Sequence, residues 1–171
     1  MPNKVSLIMS APIGTLLLSA HSNRLAGLVI FIDGVDGRLP ASVQPIQAVA
    51  HDSPVLQQAV EQLGEYFAGR RREFRLPLDL AGLPPFTRTI LEVLRTVPFG
   101  ATLTYGDLAA KAGMPRAARA VGGAMAANPL PIVIPCHRVV AAGHPGGYSG
   151  GGGLRTKEWL LAFERDRCRG N

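Results

Sequence analysis

Cysteine is scarce in this chain. Cys136 and Cys168 are the only two among 171 residues. Two thiols without C-x-x-C spacing make neither a disulfide framework nor a redox pair. His21, His51, His137 and His144 fall at no metal-ligand spacing, so no metal is expected. No glycine run ends in GK[ST], which excludes a phosphate-binding loop of that type. Long apolar runs are missing as well. The opening MPNKVSLIMSAPIGTLLLSA breaks at proline and glycine before a signal or membrane span could form. No membrane association and a reducing, cytoplasmic location are therefore expected, where a free thiol survives. Acidic excess is absent too. Residues 1–83 balance seven basic against seven acidic side chains, whereas residues 84–171 hold eleven against five. The whole net charge of +6 lies in the second half, as attraction to a polyanion requires.

Hydrophobic residues make up 47% of the chain, enough for a core. Val5–Met9, Thr15–Ala20 and Leu25–Ile32 read as strands, and residues 33–50 as loop. Ser53-Pro54 opens a helix carrying Leu56, Val60, Leu63 and Phe67, which Gly69 ends. Arg70, Arg71 and Arg72 suit a solvated face better than a binding site. Phe74–Leu78 is expected as a fourth strand. Leu83-Pro84-Pro85 marks a boundary, giving an α/β unit over 1–83 and a mainly helical one over 84–171. In the second unit Phe86, Ile90, Leu91, Leu94 and Val97 share a helical face. Thr104 and Asp107 form a capping box, and Gly113 separates that helix from one running from Pro115 to about Ala127. The pair is a plausible helix–turn–helix. Its second helix, ARAVGGAMAAN, offers few groups for reading major-groove base edges. A slim rod with one long side chain, Arg119, fits a minor groove, and fits tight helix packing equally well.

The chemistry concentrates in Pro-Cys-His-Arg-Val at 135–139. Leu130–Pro135 is expected to be buried and extended, delivering Cys136 to a pocket. Free cysteines are often inert core residues. An adjacent imidazole changes that reading, because His137 could take the thiol proton directly or through water. Glu164, on a helix expected over Thr156–Arg165 with Trp159, Leu160 and Phe163 packed inward, is a candidate to orient it. The glycine-rich stretch from Gly146 to Gly153 carries Tyr148 and Ser149. It reads either as a pocket wall or as a plain connector.

Taken together, NPLPIVIPCHRVV, preceded by TYGDLAAKAG and RAARAVGGAM and followed by GGYSG and KEWLLAFE, resembles the alkylguanine-DNA alkyltransferases. PIGTLLLSA and EYFAG extend the likeness into the first half. The resemblance implies a ribonuclease-H-like α/β domain over 1–83, followed by a helical domain with helix–turn–helix over 84–171. It implies that Cys136 takes the alkyl group from guanine O6, and from thymine O4 as a second substrate, and keeps it as a thioether, inactivating the protein. His137 then corresponds to the water-linked base, Glu164 to its orienting partner and Asn128 to a hinge bracing the cysteine turn. On the DNA side it assigns Arg119 as the finger replacing a flipped nucleotide and Tyr105 as the residue crowding the target phosphate. Ala117 and Arg138 join as DNA contacts, and Tyr148 and Ser149 as the pocket loop. In the family a tyrosine bonds guanine N3 and the serine backbone bonds O6. The implied partner is double-stranded DNA bound through its minor groove, by a monomer with cooperative neighbours, associated with the nucleoid when at work. No cofactor is implied, because the lesion carries the alkyl group. Ser149 is followed by four glycines, two more than the family's common pattern, and a wider pocket wall is expected. A lesion-binding protein without transfer, a methylation-sensing regulator and a cysteine hydrolase are the competing readings. The first normally has tryptophan in place of the cysteine, and the second lacks its extra modules here. The third is awkward with adjacent Cys and His.

Overall fold

The computed structural model describes residues 4–32 and 53–169, which divide into compact units at Leu80/Ala81. In the first unit, β1 (Lys4–Ala11), β2 (Gly14–His21) and β3 (Arg24–Phe31) form an antiparallel meander in that order. The alternation foreseen for β2 is strict: Leu16, Leu18 and Ala20 are buried, while the residues between them are not. A register shift between Ser19 and Ala20 leaves Ala26 as an extra residue in β3, so Leu25, Leu28 and Ile30 still face inward. Helix α1 (Pro54–Phe67) covers that face with Val55, Leu56, Ala59, Leu63 and Tyr66. Ser53 stands at its N-cap position, but its hydroxyl caps nothing; Asn23 Oδ1 accepts from Val55 N instead, at 3.3 Å.

The strand expected at Phe74–Leu78 does not form. Only Leu78 bridges, beside Leu25. The reason is local. Gln62 places its amide against Arg75, accepting from Arg75 N at 2.8 Å and donating to Arg75 O at 3.0 Å. Those backbone groups are thereby satisfied without a neighbouring strand, and Pro77 has no N–H to offer a ladder. The expected loop over residues 33–50 lies outside the described residues.

The second unit begins with α2 (Pro85–Leu94), which buries Thr87, Ile90, Leu91 and Leu94. The two-residue strand β4 (Leu103–Thr104) pairs in parallel with β5 (Val139–Val140) and leads directly into α3 (Tyr105–Lys111). The expected capping box is present: Asp107 N donates to Thr104 Oγ1 at 3.1 Å, and Thr104 N donates to Asp107 Oδ2 at 3.0 Å. Helix α4 (Ala118–Ala126) packs on α3 and α2 through Val121 and Ala124. It starts three residues later than Pro115, because Pro115–Ala117 is used as a turn. Helix α5 (Leu154–Arg169) closes the unit and is longer than expected. Its inward face is Thr156, Lys157, Leu160 and Glu164, not Trp159, which is exposed and stacks on Phe163. No described helix is long and apolar enough to cross a membrane.

Candidate active site

Between α4 and β5 the chain does not run extended as expected. Residues 131–134 fold into a tight turn in which Ile132, fully buried, adopts a left-handed backbone with φ +74°. A β-branched residue there costs on the order of 1–3 kcal/mol, so its surroundings must hold it. Asn128 does much of the holding. Its Oδ1 accepts from Leu130 N at 3.0 Å and its Nδ2 donates to Ile134 O at 2.9 Å. Ile134 N donates across the turn to Leu130 O at 2.8 Å.

The chain then enters a 3-10 turn, Cys136–Arg138, with every side chain buried. Burial pushes the Cys136 thiol up, while the nearby polar groups of Asn128 and Tyr148 and the positive charge of Lys157 oppose it. His137 is fully buried and its Nε2 meets Glu164 Oε1 at 2.8 Å. Its Nδ1 is buried with no hydrogen-bond partner in the protein. With Nε2–H donating to the carboxylate, Nδ1 carries the free lone pair and can accept a proton. Burial holds His137 below the usual imidazole range, and the Arg138 and Lys157 charges add to this, while Glu164 opposes it.

Glu164 is a hub. Besides His137 it accepts from Arg138 Nε and Nη2, both at 2.9 Å, and from Gly100 N at 2.9 Å. Burial disfavours its charge, but the bonds from His137 and Arg138 outweigh that and hold the carboxyl well below the ordinary carboxylate range. Arg138 also donates to Val97 O at 2.7 Å and is only 4% exposed. The surface DNA contact expected of Arg138 therefore does not fit its place. Its guanidinium is consumed inside the protein, pairing the carboxylate that orients His137.

Lys157 was not foreseen. It is fully buried, and its ammonium donates to Val139 O at 2.6 Å and Gly147 O at 3.0 Å, tying the active-site segment to the glycine-rich loop. Burial lowers its basicity, and the Cys136 sulfur opposes that. A signal existed: Lys157 precedes Leu160 and Glu164 by three and seven residues, the spacing of one helical face.

Tyr148 lies on that loop. Its hydroxyl oxygen is buried with no hydrogen-bond partner, and burial, to which the Cys136 sulfur adds, keeps the phenol protonated. Gly153 N donates to Gly150 O at 3.0 Å and Gly152 N to Thr156 Oγ1 at 2.9 Å, making a turn that leads into α5. Ser149 is exposed. Tyr105 opens α3 with its ring against Gly146, where a Cβ would stand 2.9 Å from the hydroxyl. Ala117 and Arg119 occupy the N-cap position and first turn of α4, where Arg119 is exposed. The structure thus gathers Cys136, His137, Glu164, Asn128, Arg138, Lys157 and Tyr148 into one network and leaves Arg119 and Ser149 facing solvent. Among the described residues no group of three or more His, Cys, Asp or Glu side chains could hold a metal ion.

Residues 85–166 match the family model described as 6-O-methylguanine DNA methyltransferase, DNA binding domain, and residues 4–80 match the ribonuclease-like domain of the same family. The chain is 42% identical to the methylated-DNA–protein-cysteine methyltransferase of Mycolicibacterium paratuberculosis, over 92% of this chain and 90% of the relative. It is 40% identical to the human protein of that name, over 93% of this chain and 79% of the relative. Among solved structures it is similar to the Mycobacterium tuberculosis O6-methylguanine methyltransferase, with TM-score 0.77, 37% identity and coverage of 96% and 94%. It is also similar to Mycobacterium tuberculosis OGT in complex with DNA, with TM-score 0.76, 38% identity and coverage of 94% and 92%.

Proposed function

The chain belongs to the 6-O-methylguanine DNA methyltransferase family, and from that premise we propose that Cys136 is the residue that accepts the alkyl group. The protein repairs DNA directly, moving an alkyl group from the damaged base to a cysteine of its own. The observation that carries the assignment to Cys136 is a buried thiol next in the chain to a buried imidazole that has one nitrogen committed to Glu164 and the other unpartnered. His137 Nδ1 takes the thiol proton, directly or through water. The sulfur attacks the alkyl carbon, the S–C bond forms as the C–O6 bond breaks, and the electron pair leaves with guanine. The proton held on His137 balances that charge. Glu164, locked by Arg138 and Gly100, stays ionised and fixes the imidazole tautomer.

The target atom is inaccessible inside a duplex, so the base must be flipped out. Arg119, exposed on the slim helix α4, enters from the minor groove and fills the gap in the stack, while Tyr105 crowds the target phosphate. Ala117 lets the start of α4 approach the backbone closely, and Ser149 offers its amide to O6. The thioether has no route back, so each molecule reacts once, as a monomer. Mass spectrometry after incubation with duplex O6-methylguanine DNA tests this. One methylene gained on the Cys136 peptide, at most once per molecule, is expected. Cys136→Ser should bind DNA without gaining mass, and Arg119→Ala should react more slowly with duplex than with the free base. A methylated peptide elsewhere, or repeated turnover, would sink the assignment.

A further inference from the structure

The turn that follows α2 holds both members of the buried ion pair. Val97 O accepts from Arg138 Nη1 at 2.7 Å, and the guanidinium carbon stands 5.8 Å over the centre of the Phe99 ring. Ala101 N donates to Pro98 O at 3.1 Å and closes the turn. Gly100 N donates to Glu164 Oε2 at 2.9 Å. Gly100 is itself exposed, yet its N–H reaches a carboxylate that is fully buried. Oε1 takes His137 and one arm of Arg138, whereas Oε2 takes the other arm and Gly100. His137 and Arg138 donate from side chains; Gly100 donates from the main chain. The place demands glycine. Its φ is +78°, and a Cβ there would collide with Cys168 Sγ. That neighbour cannot simply be pushed off the turn, because α5 grips it twice more. Cys168 Sγ lies 3.7 Å from Phe99 O, and Phe99 packs edge-on against Phe163 with centroids 6.5 Å apart.

We propose that Gly100 is a positioning residue for alkyl transfer: its main-chain N–H holds the Glu164 carboxylate so that the His137 proton stays on Nε2 and Nδ1 is free for the Cys136 proton. This deepens the alkyl-transfer reading and rests on His137 being the proton acceptor. Val97 O reaches the carboxylate through the Arg138 side chain, whereas Gly100 N reaches it directly. Without that amide, Oε2 loses a charge-assisted bond and the carboxylate can rotate toward Arg138 and away from His137. The imidazole then loses the acceptor that selects its tautomer. Part of the population carries its proton on Nδ1, where it cannot take the thiol proton. The charged groups acting on the imidazole are Glu164, Lys157 and Arg138, and a change at Gly100 removes none of them. An effect on the tautomer therefore comes from geometry and not from a lost charge.

The test compares the full-length protein with Gly100→Ala, and with Gly100→Ala in a Cys168→Ala background measured against Cys168→Ala. In the unsubstituted protein the Gly100 amide should resist hydrogen exchange, and nitrogen NMR should place the His137 proton on Nε2. Gly100→Ala drives the new methyl into Cys168 Sγ and shifts the turn. Part of His137 should then carry its proton on Nδ1. Transfer from duplex O6-methylguanine DNA to Cys136 should slow about tenfold, the effect of one hydrogen bond to a charged group. Removing the Cys168 sulfur leaves the added methyl 3.6 Å from its nearest neighbours, Cys168 Cβ and Glu164 O. Tautomer and rate should then return most of the way. The urea midpoint should stay low, because alanine is still strained at positive φ. That split separates positioning from fold stability. A His137 proton fixed on Nε2 with a rate within about twofold of the original, in folded Gly100→Ala, overturns the proposal. So does a rate that follows the urea midpoint through both variants. If Gly100→Ala does not fold, the unsubstituted protein decides: a freely exchanging Gly100 amide or a His137 proton on Nδ1 overturns the proposal. Failure of Cys136 to gain a methylene from DNA leaves these NMR readings intact and sinks the acceptor assignment instead.

Discussion

Replacing Glu164 by glutamine removes one charge and almost no volume, so its effect isolates the electrostatics of the buried hub. Four donors converge on the carboxylate: His137 Nε2 at 2.8 Å, and Arg138 Nε, Arg138 Nη2 and Gly100 N at 2.9 Å each. A glutamine has one acceptor oxygen and presents an NH2 to the others, so at least one donor faces another donor. Arg138, 4% exposed, is left as an unpaired cation. Breaking a buried pair from one side costs about 3–5 kcal/mol, a large part of the roughly 5–15 kcal/mol that holds a typical domain. The single tryptophan, Trp159, lies on α5 five residues from Glu164 and reports unfolding of this unit by fluorescence. Its urea midpoint should fall by about 2 M at an m-value of about 2 kcal/mol/M. Adding Arg138→Met to Glu164→Gln removes the orphaned charge and should return part of the loss, so the cycle shows strong coupling. A Glu164→Gln midpoint within about 0.5 M of wild type, or additive effects in the double variant, would refute the account of the hub.

Acidification should act through the same residues. His137 and Glu164 both titrate lower in the folded chain than in the unfolded one, so the unfolded state binds more protons as pH falls. Stability should be full above about pH 6.5, decline below it as unfolded His137 charges, and decline further below about pH 4.3 as unfolded Glu164 protonates. In His137→Gln the part beginning near pH 6.5 should vanish from melting temperatures taken between pH 7 and 5.5. Asn128→Ala strands Leu130 N inside the turn, leaves Ile134 O with only its bond from Cys136 N, and should cost about 2 kcal/mol, together with slower Cys136 alkylation; unaltered stability and rate would show that the turn holds itself. Thr104→Ala removes the cap of α3 and should cost about 1 kcal/mol by urea denaturation, with no change in iodoacetamide reactivity of Cys136.

The sequence made the strands of the first unit legible because one face of a meander must alternate, as Leu16, Leu18 and Ala20 do. The Thr104–Asp107 cap was equally plain, since both partners lie within four residues. Asn128, Cys136, His137 and Glu164 were legible as a set through family resemblance, and Glu164 facing His137 is a contact that spacing alone could not supply. What escaped was decided at a distance or against propensity. An apolar run such as Leu130–Pro135 predicts an extended strand, and no local rule puts a buried isoleucine in the left-handed region. Phe74–Leu78 looked like a strand because the competing partner, Gln62, lies in another element. Arg138 is expected as a DNA contact through the resemblance, and nothing local shows that its guanidinium is spent on Glu164 and Val97 O, both distant in the chain.

Helix α5 serves this site as a ruler. Lys157 and Glu164 stand seven residues apart on one face, about 10 Å along the axis. One end fastens Val139 and the glycine-rich loop, and the other fixes the imidazole and the guanidinium. The distance between loop and base is therefore written in whole helical turns. A single residue inserted or deleted between the two swings one of them by about 100° and leaves the other in place. Point changes along the outer face of α5 leave that measure intact, but a change of length does not. Descendants of this chain are free to drift in composition at Glu158, Ala162 and Arg165 while the count of residues from Lys157 to Glu164 is held.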